Sequence, residues 1–246
     1  MVNAAPQRYQ KAIDCLSEFI TERRRTLIAH VLARRTRRVT VVLEDIYDPQ
    51  NASAVVRSSE CFGVQDLHVI ENMNHFAPNT DVAQGASKWV DIHHYREPDG
   101  CNTARCLGAL RSAGYEILAT GFSPEAVPLP DLSIERPVAI CLGTEEAGLS
   151  DQAFDLADRI VKIPMFGFTQ SFNLSVSAAL CLQTVCARIR TGGNDWRLSE
   201  SEQQKIRLKW MLRSVRNPAA LLRKFGFEDM LEELGLPYNV SQFQPK

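Results

Sequence analysis

Short β-branched runs alternating with helical stretches predict an α/β protein built on a parallel sheet. Two observations carry this. The run "VTVVLEDI" (39–46) is apolar without polar alternation, as a strand buried on both faces is. Helical segments follow the strand-like runs in turn, which is how parallel strands are connected. At 246 residues the chain suffices for one sizeable α/β domain with extensions.

Residues 7–36 read as one helix, with Ile13, Leu16, Ile20, Leu27 and Val31 at three- to four-residue spacing. After strand 39–46, "DPQN" is a breaker, and Asn51 reads as the N-cap of a helix over 52–62. "DLHVIE" (66–71) is a second strand, ended by a loop rich in Asn and Pro, and "KWVDIHHY" (88–95) a third. Helix 101–113 and strand 115–121 follow. Then come strand 136–143, a turn at "TEEAG", helix 151–158, strand "RIVKIP" (159–164) and a last core helix over 172–190. "TGGND" (191–195) is the clearest linker, and 199–234 read as helices broken at Pro218 and Gly226. This divides the chain into a basic N-terminal helical extension (1–38), an α/β domain (39–190) and a C-terminal helical extension (191–246).

The net charge of −1 conceals an asymmetry. Residues 1–38 carry 9 Lys/Arg against 3 Asp/Glu, 39–187 carry 8 against 19, and 188–246 carry 11 against 7. Segments 22–38 and 205–224 each hold seven basic residues, the first with one acid and the second with none, and Trp210 interleaves the second. Two such patches are the electrostatic footprint of a phosphate-backbone partner, although solvated helix faces also carry charge runs. The acidic "EDMLEE" (228–233) reads either as packed on a basic neighbour or as solvated. Seven cysteines form neither a metal-type pair spacing nor an even disulfide set, so thiols in a reducing cytoplasm are expected, with no metal. No run reaches the ~20 apolar residues of a membrane span, and no signal-peptide pattern opens the chain.

Ligands of parallel α/β sheets gather beyond the carboxyl ends of the strands. Three loops belong there: "EDIYDPQNASAVVR", "CLGTEEAGLS" and "KIPMFGFTQSFNLS". There is no GxGxxG, Walker lysine motif, HExxH or GxSxG, which removes the common nucleotide, metalloprotease and serine-hydrolase signatures. Each loop has an ordinary structural reading. Asn51 caps a helix, Glu145 and Glu146 complement the N-terminus of helix 151–158, and Ser171 or Asn173 caps helix 172–190. Arg57, Glu145 and Asn173 are in addition costly to bury.

Together the loops resemble, in order and spacing over about residues 38–190, the three motifs of the SpoU–TrmH family of RNA ribose 2′-O-methyltransferases. "NASAVVRSSECFGV" is similar to motif one, "CLGTEEAGLS" to motif two and "KIPMFGFTQSFNLSVSAAL" to motif three. "GASKWVDI" (85–92) resembles a segment of the branch that methylates the D-loop guanosine 18 of tRNA. Here Gln50 stands where the family often has His, and Phe172 and Leu174 replace its usual Leu and Val.

The resemblance implies a parallel sheet whose C-terminal part is threaded into a trefoil knot, and S-adenosyl-L-methionine as cofactor. It implies a homodimer acting on tRNA, with ribosomal RNA methylation or non-catalytic RNA binding as the alternatives. Mapped residue by residue, it implies cofactor contacts from Thr120, Leu142, Gly143, Ile163, Met165, Phe172 and Asn173, with Phe166 and Phe168 also walling the ligand. Arg57 becomes the proposed base or alkoxide stabiliser. Asn51 and Asn173 would position the ribose and Arg57, Glu145 would fix Arg57 or close the knot, and Ser171 would bond Arg57 or backbone. Helix 172–190 would join the dimer interface through Val176, Ala179, Leu180, Leu182 and Val185. Arg23, Arg24, Arg34, Lys88, Arg188, Arg190, Lys209 and Arg213 are the candidate tRNA contacts.

Overall fold

A computed structural model describes residues 4–77, 79–193 and 195–236. Asn194 of the linker, Met1–Asn3 and the last ten residues of the C-terminal extension lie outside the described residues. The chain divides into two compact units, Thr36–Trp196 and a unit joining Met1–Arg35 to Arg197–Lys246. The two ends, which read as separate extensions in the sequence, thus belong to one unit.

The helical unit begins with α1 (Ala4–Ser17) and α2 (Glu22–Leu32), where the periodicity predicts a single helix over 7–36. The break falls at Thr21, whose side chain accepts the Arg24 N–H and caps α2, ending the run that Ile20 continued. The α/β unit then opens with β1 (Val39–Glu44) and α3 (Pro49–Cys61). β2 (Asp66–Ile70), the one-turn α4 (Thr80–Ala83) and β3 (Asp91–Tyr95) follow. The expected start of the third strand is instead a 3₁₀ turn over Ala86–Lys88.

The order continues with α5 (Asn102–Ser112), β4 (Glu116–Thr120), the two-residue β5 (Val127–Pro128) and β6 (Val138–Leu142). α6 (Asp151–Asp155), β7 (Arg159–Lys162) and α7 (Leu174–Thr191) complete the unit. β5 carries no pattern that would announce a strand, and its proline is tolerated because it lies at the sheet edge.

The seven strands form one sheet in the order β3-β2-β1-β6-β4-β7-β5, with every pairing parallel. All six residues of β1 are buried, as its unbroken apolar pattern requires of a central strand. Its alternation feeds two cores. Val39, Val41 and Leu43 join Val55 and Val56 of α3 and Leu182 and Val185 of α7, while Val42 joins Leu107 and Leu110 of α5 and Ala153 of α6. Along α7, Leu174, Ala178, Cys181, Leu182, Val185, Cys186 and Ile189 are buried at helical spacing. Leu182 and Val185 therefore face the chain's own core, whereas Val176 and Leu180 remain exposed at 43% and 37%.

The helical unit resumes with α8 (Glu200–Leu212), whose start is a capping box between Ser199 and Glu202. α9 (Pro218–Lys224) is capped by Asn217 at a positive φ of 51°, so the break precedes Pro218. α10 (Met230–Glu233) is short. The acidic stretch is packed: Asp229 pairs with Arg8, Tyr9 donates to Glu233, and Arg223 pairs with Glu228. Trp210 is buried, beneath the fully buried Arg35 guanidinium, and offers no face to a base. No described helix is long and apolar enough to cross a membrane.

Candidate active site

The carboxyl ends of β1, β6 and β7 lie close together because β6 pairs with β1 and with β4, and β4 pairs with β7. At the end of β1, Asp48 caps α3 by accepting the Gln50 N–H, and Pro49 occupies the first turn, where its missing N–H costs nothing. Asn51 is therefore not the cap but sits inside the first turn, 7% exposed, with its amide free to bond elsewhere. It donates to Glu145 Oε1 at 3.0 Å and accepts from Asn173 Nδ2 at 3.0 Å. Asn173 also donates to Glu145 Oε1 at 2.7 Å. Its own oxygen accepts the Ser175 N–H at 2.9 Å, so it caps α7 as well. Asn51, Glu145 and Asn173 thus form one hydrogen-bonded triangle across three loops.

The expected place of Glu145 was the N-terminus of α6, but Ser150 caps that helix. The Glu145 carboxylate stands instead at the N-terminus of α7, where it also accepts the Leu174 N–H at 3.4 Å. The far end of the same loop is tied by the buried Glu44, which accepts from Ser150 N and Oγ at 2.8 and 2.9 Å and from Thr103 Oγ1 at 2.6 Å. Between these ties the loop folds back on itself, with Thr144 and Gly148 exchanging backbone hydrogen bonds. A Cβ on Gly143 would lie 2.0 Å from the Gly148 carbonyl oxygen. The close approach that calls for glycine here is thus loop on loop, not ligand on loop.

Beside the triangle a cavity of about 420 Å³ opens at the strand ends. Thr120, Leu142, Gly143, Ile163, Met165 and Phe172 all line it, with Glu145 and Ser171, while Asn173 stands just outside the lining. Phe166 and Phe168 are not in this lining; both are fully solvent-exposed. The lining also includes Glu146, Lys162 and Gln170 from motifs two and three, and Phe122, which lies in no motif. Phe122 belongs to the loop after β4, whose place beside β6 and β7 only the strand order reveals. None of the five histidines and no cysteine lines the cavity. Burial pushes the nearby Cys141 thiol well up, which suits packing rather than nucleophilic chemistry.

Arg57 takes no part in the triangle. Six residues beyond Asn51 on α3, it lies about 240° around and about 9 Å along the helix. It is exposed and makes no hydrogen bond or ion pair with any described residue, and Ser171 is likewise exposed and unbonded. Within one chain, none of Asn51, Asn173, Glu145 and Ser171 bonds the Arg57 side chain. Nor are Arg57, Glu145 and Asn173 buried; the buried polar residue of the set is Asn51.

Residues 38–183 match the SpoU rRNA Methylase family. The chain belongs to that family. It is 42% identical over 84% of its length, and 93% of the relative's, to a tRNA (guanosine(18)-2'-O)-methyltransferase of Borreliella burgdorferi. It is 32% identical over 73% of its length, and 78% of the relative's, to the Escherichia coli K12 enzyme of the same name. Among solved structures, a TrmH/SpoU tRNA-modifying enzyme of Aquifex aeolicus is similar at a TM-score of 0.70 and 30% identity, over 79% of this chain and 98% of that one.

Of the basic residues singled out in this SpoU chain, Arg23, Arg24 and Arg34 are exposed in the helical unit, where Lys209 and Arg213 are half-buried. Lys88 is half-buried in the α/β unit. Arg188 and Arg190 have internal duties: Arg188 donates to the carbonyls of Pro130 and Leu132, and Arg190 donates to that of Phe62 and stacks on Trp196. No cluster of three or more metal-ligating side chains occurs among the described residues.

Proposed function

We propose that this chain methylates the ribose 2′-hydroxyl of guanosine 18 in the D-loop of tRNA, using S-adenosyl-L-methionine, as a homodimer. The observation that carries this is the cavity beside the Asn51–Glu145–Asn173 triangle, in a chain so similar to enzymes named for that reaction. The cavity suits the cofactor. Apolar walls from Leu142, Ile163, Met165, Phe122 and Phe172 fit a nucleobase and methylene chain, and Thr120, Thr144, Gln170 and Glu146 supply a polar rim for hydroxyls and an amino-acid end. S-adenosylmethionine brings an electrophilic methyl group on a sulfonium. The C-terminal strands fit the trefoil-knot reading, since the chain leaving β6 passes β4 to add β7.

A ribose hydroxyl attacks well only as its proton leaves, so positive charge near the forming alkoxide is needed. Arg57 supplies it. A planar guanidinium fork suits alkoxide stabilisation and phosphate clamping better than proton abstraction. Because Arg57 is exposed and outside the lining of its own cavity, the Arg57 of a second copy serves this one. Exposed Phe166, Phe168, Val176 and Leu180 supply apolar surface for that pairing. Asn51, Glu145 and Asn173 hold the two loops that shape the cavity. The setting is the cytoplasm, in keeping with seven free cysteines, four of them buried.

The test is incubation of the full chain with unmodified tRNA and methyl-labelled cofactor, followed by nuclease mapping. Ribose methylation at guanosine 18 is expected. Absence of label at that guanosine overturns the assignment.

A further inference from the structure

The helical unit contains a second cavity, of about 290 Å³, lined by Ile13, Ser17, Arg25, Thr26, Ile28, Ala29, Arg207 and Met211. Arg25 comes from the basic segment of α2 and Arg207 from that of α8, so two patches far apart in sequence converge on one space. No carboxylate lines it. The Arg207 Nε is buried without a hydrogen-bond partner, and its guanidinium makes no hydrogen bond or ion pair with any described residue. Arg25 donates to the Ser17 carbonyl and has further N–H groups to offer.

A half-buried arginine cannot relieve its charge by shedding a proton, and what Arg207 offers the cavity is its unbonded terminal N–H groups, the buried Nε lying out of a ligand's reach. Water would satisfy the N–H groups but leave two like charges facing one space. An oxyanion answers both demands, and the guanidinium fork matches phosphate geometry. Ser17 and Thr26 line the same cavity, with the Ser17 hydroxyl donating to the Ile13 carbonyl.

We propose that this cavity is a phosphate-binding site that grips one backbone phosphodiester of the tRNA through Arg25 and Arg207. The proposal rests on the tRNA reading above, and assigns to the helical unit a defined phosphate contact rather than a diffuse basic surface.

The test measures tRNA binding by the full chain across a salt series. Arg207→Met lowers the slope of log affinity against log salt by about one, which is about a fivefold loss near 0.15 M salt. Arg25→Met acts in the same direction and serves as the readout if Arg207→Met disturbs α8. The double variant is little weaker than Arg207→Met alone, because both side chains hold one phosphate. Cofactor affinity by calorimetry stays at the wild-type value. Unchanged slopes, or single losses that simply add, overturn the proposal. So does protection of the wild-type melting temperature by inorganic phosphate that Arg207→Met abolishes while the tRNA slope stays put, since that outcome marks a free-anion site. Failure of the methylation reading looks different: tRNA is bound with the stated slopes, yet guanosine 18 is not methylated.

Discussion

Asn51 and Arg57 are six residues apart on one helix, and they meet opposite fates. Asn51 is buried and fully engaged, bonded to Glu145 and Asn173 from two other loops. The Arg57 side chain is exposed and bonds no described residue. The difference separates scaffold from tool. What shapes the cavity is completed inside one chain; in the proposed function, Arg57 is left free for substrate and a second copy. A static hydrogen-bond survey finds the first and passes over the second.

The largest effect should fall on the tool. Arg57→Ala is expected to cut turnover by about 10²- to 10³-fold, as loss of a charge stabiliser does, with melting temperature and cofactor affinity unchanged. Arg57→Lys with normal turnover would sink this role, because a point charge would then replace the planar fork. Next comes the scaffold at its tightest contact. Gly143→Ala drives a Cβ to 2.0 Å from the Gly148 oxygen, so the loop must move. Overpacking strain of about 1–3 kcal/mol should appear as about tenfold weaker cofactor binding in calorimetry, and wild-type affinity would break the account of the loop.

Glu145→Ala removes the acceptor shared by Asn51 and Asn173 and should cost about 1 kcal/mol of stability, lowering the melting temperature and cofactor affinity together. Glu145→Gln keeps the Oε1 acceptor and should behave much like wild type; if both variants fail equally, the negative charge itself is what matters. The smallest effect lies on β2, one strand in from the sheet edge. His68 is stacked on His93 at 4.7 Å, and burial depresses its pKa from 6.5 to about 4. The unfolded chain takes a proton there that the folded chain refuses, so the penalty is absent above about pH 6.5 and grows toward pH 4. Wild type should lose melting temperature over that window more steeply than His68→Gln.

Strand-like runs at 39–46 and 136–143 were legible because central parallel strands need unbroken apolar sequence. β5 was not, since two residues at an edge carry no pattern. The single helix expected over 7–36 failed at Thr21, where one hydroxyl cap outweighs a continuing apolar period. The same local competition hid the role of Asn51: Asp48, three residues earlier, captured the cap and released the amide for the site. Glu44 went unnoticed because a lone acid at a strand end signals nothing until Ser150 and Thr103 are seen beside it. Trp210 counted toward a basic nucleic-acid footprint, but composition cannot tell a buried indole from an exposed one.

The triangle that closes the cavity joins residues separated by 94 and 122 positions in the chain. During synthesis, α3 and β1 are complete long before Glu145 or Asn173 leaves the ribosome. A truncated product ending before residue 173 would hold most of the sheet and lack the pocket's final wall. Catalytic competence is thus a late event of biogenesis, withheld from incomplete chains by the length of the loops it must close.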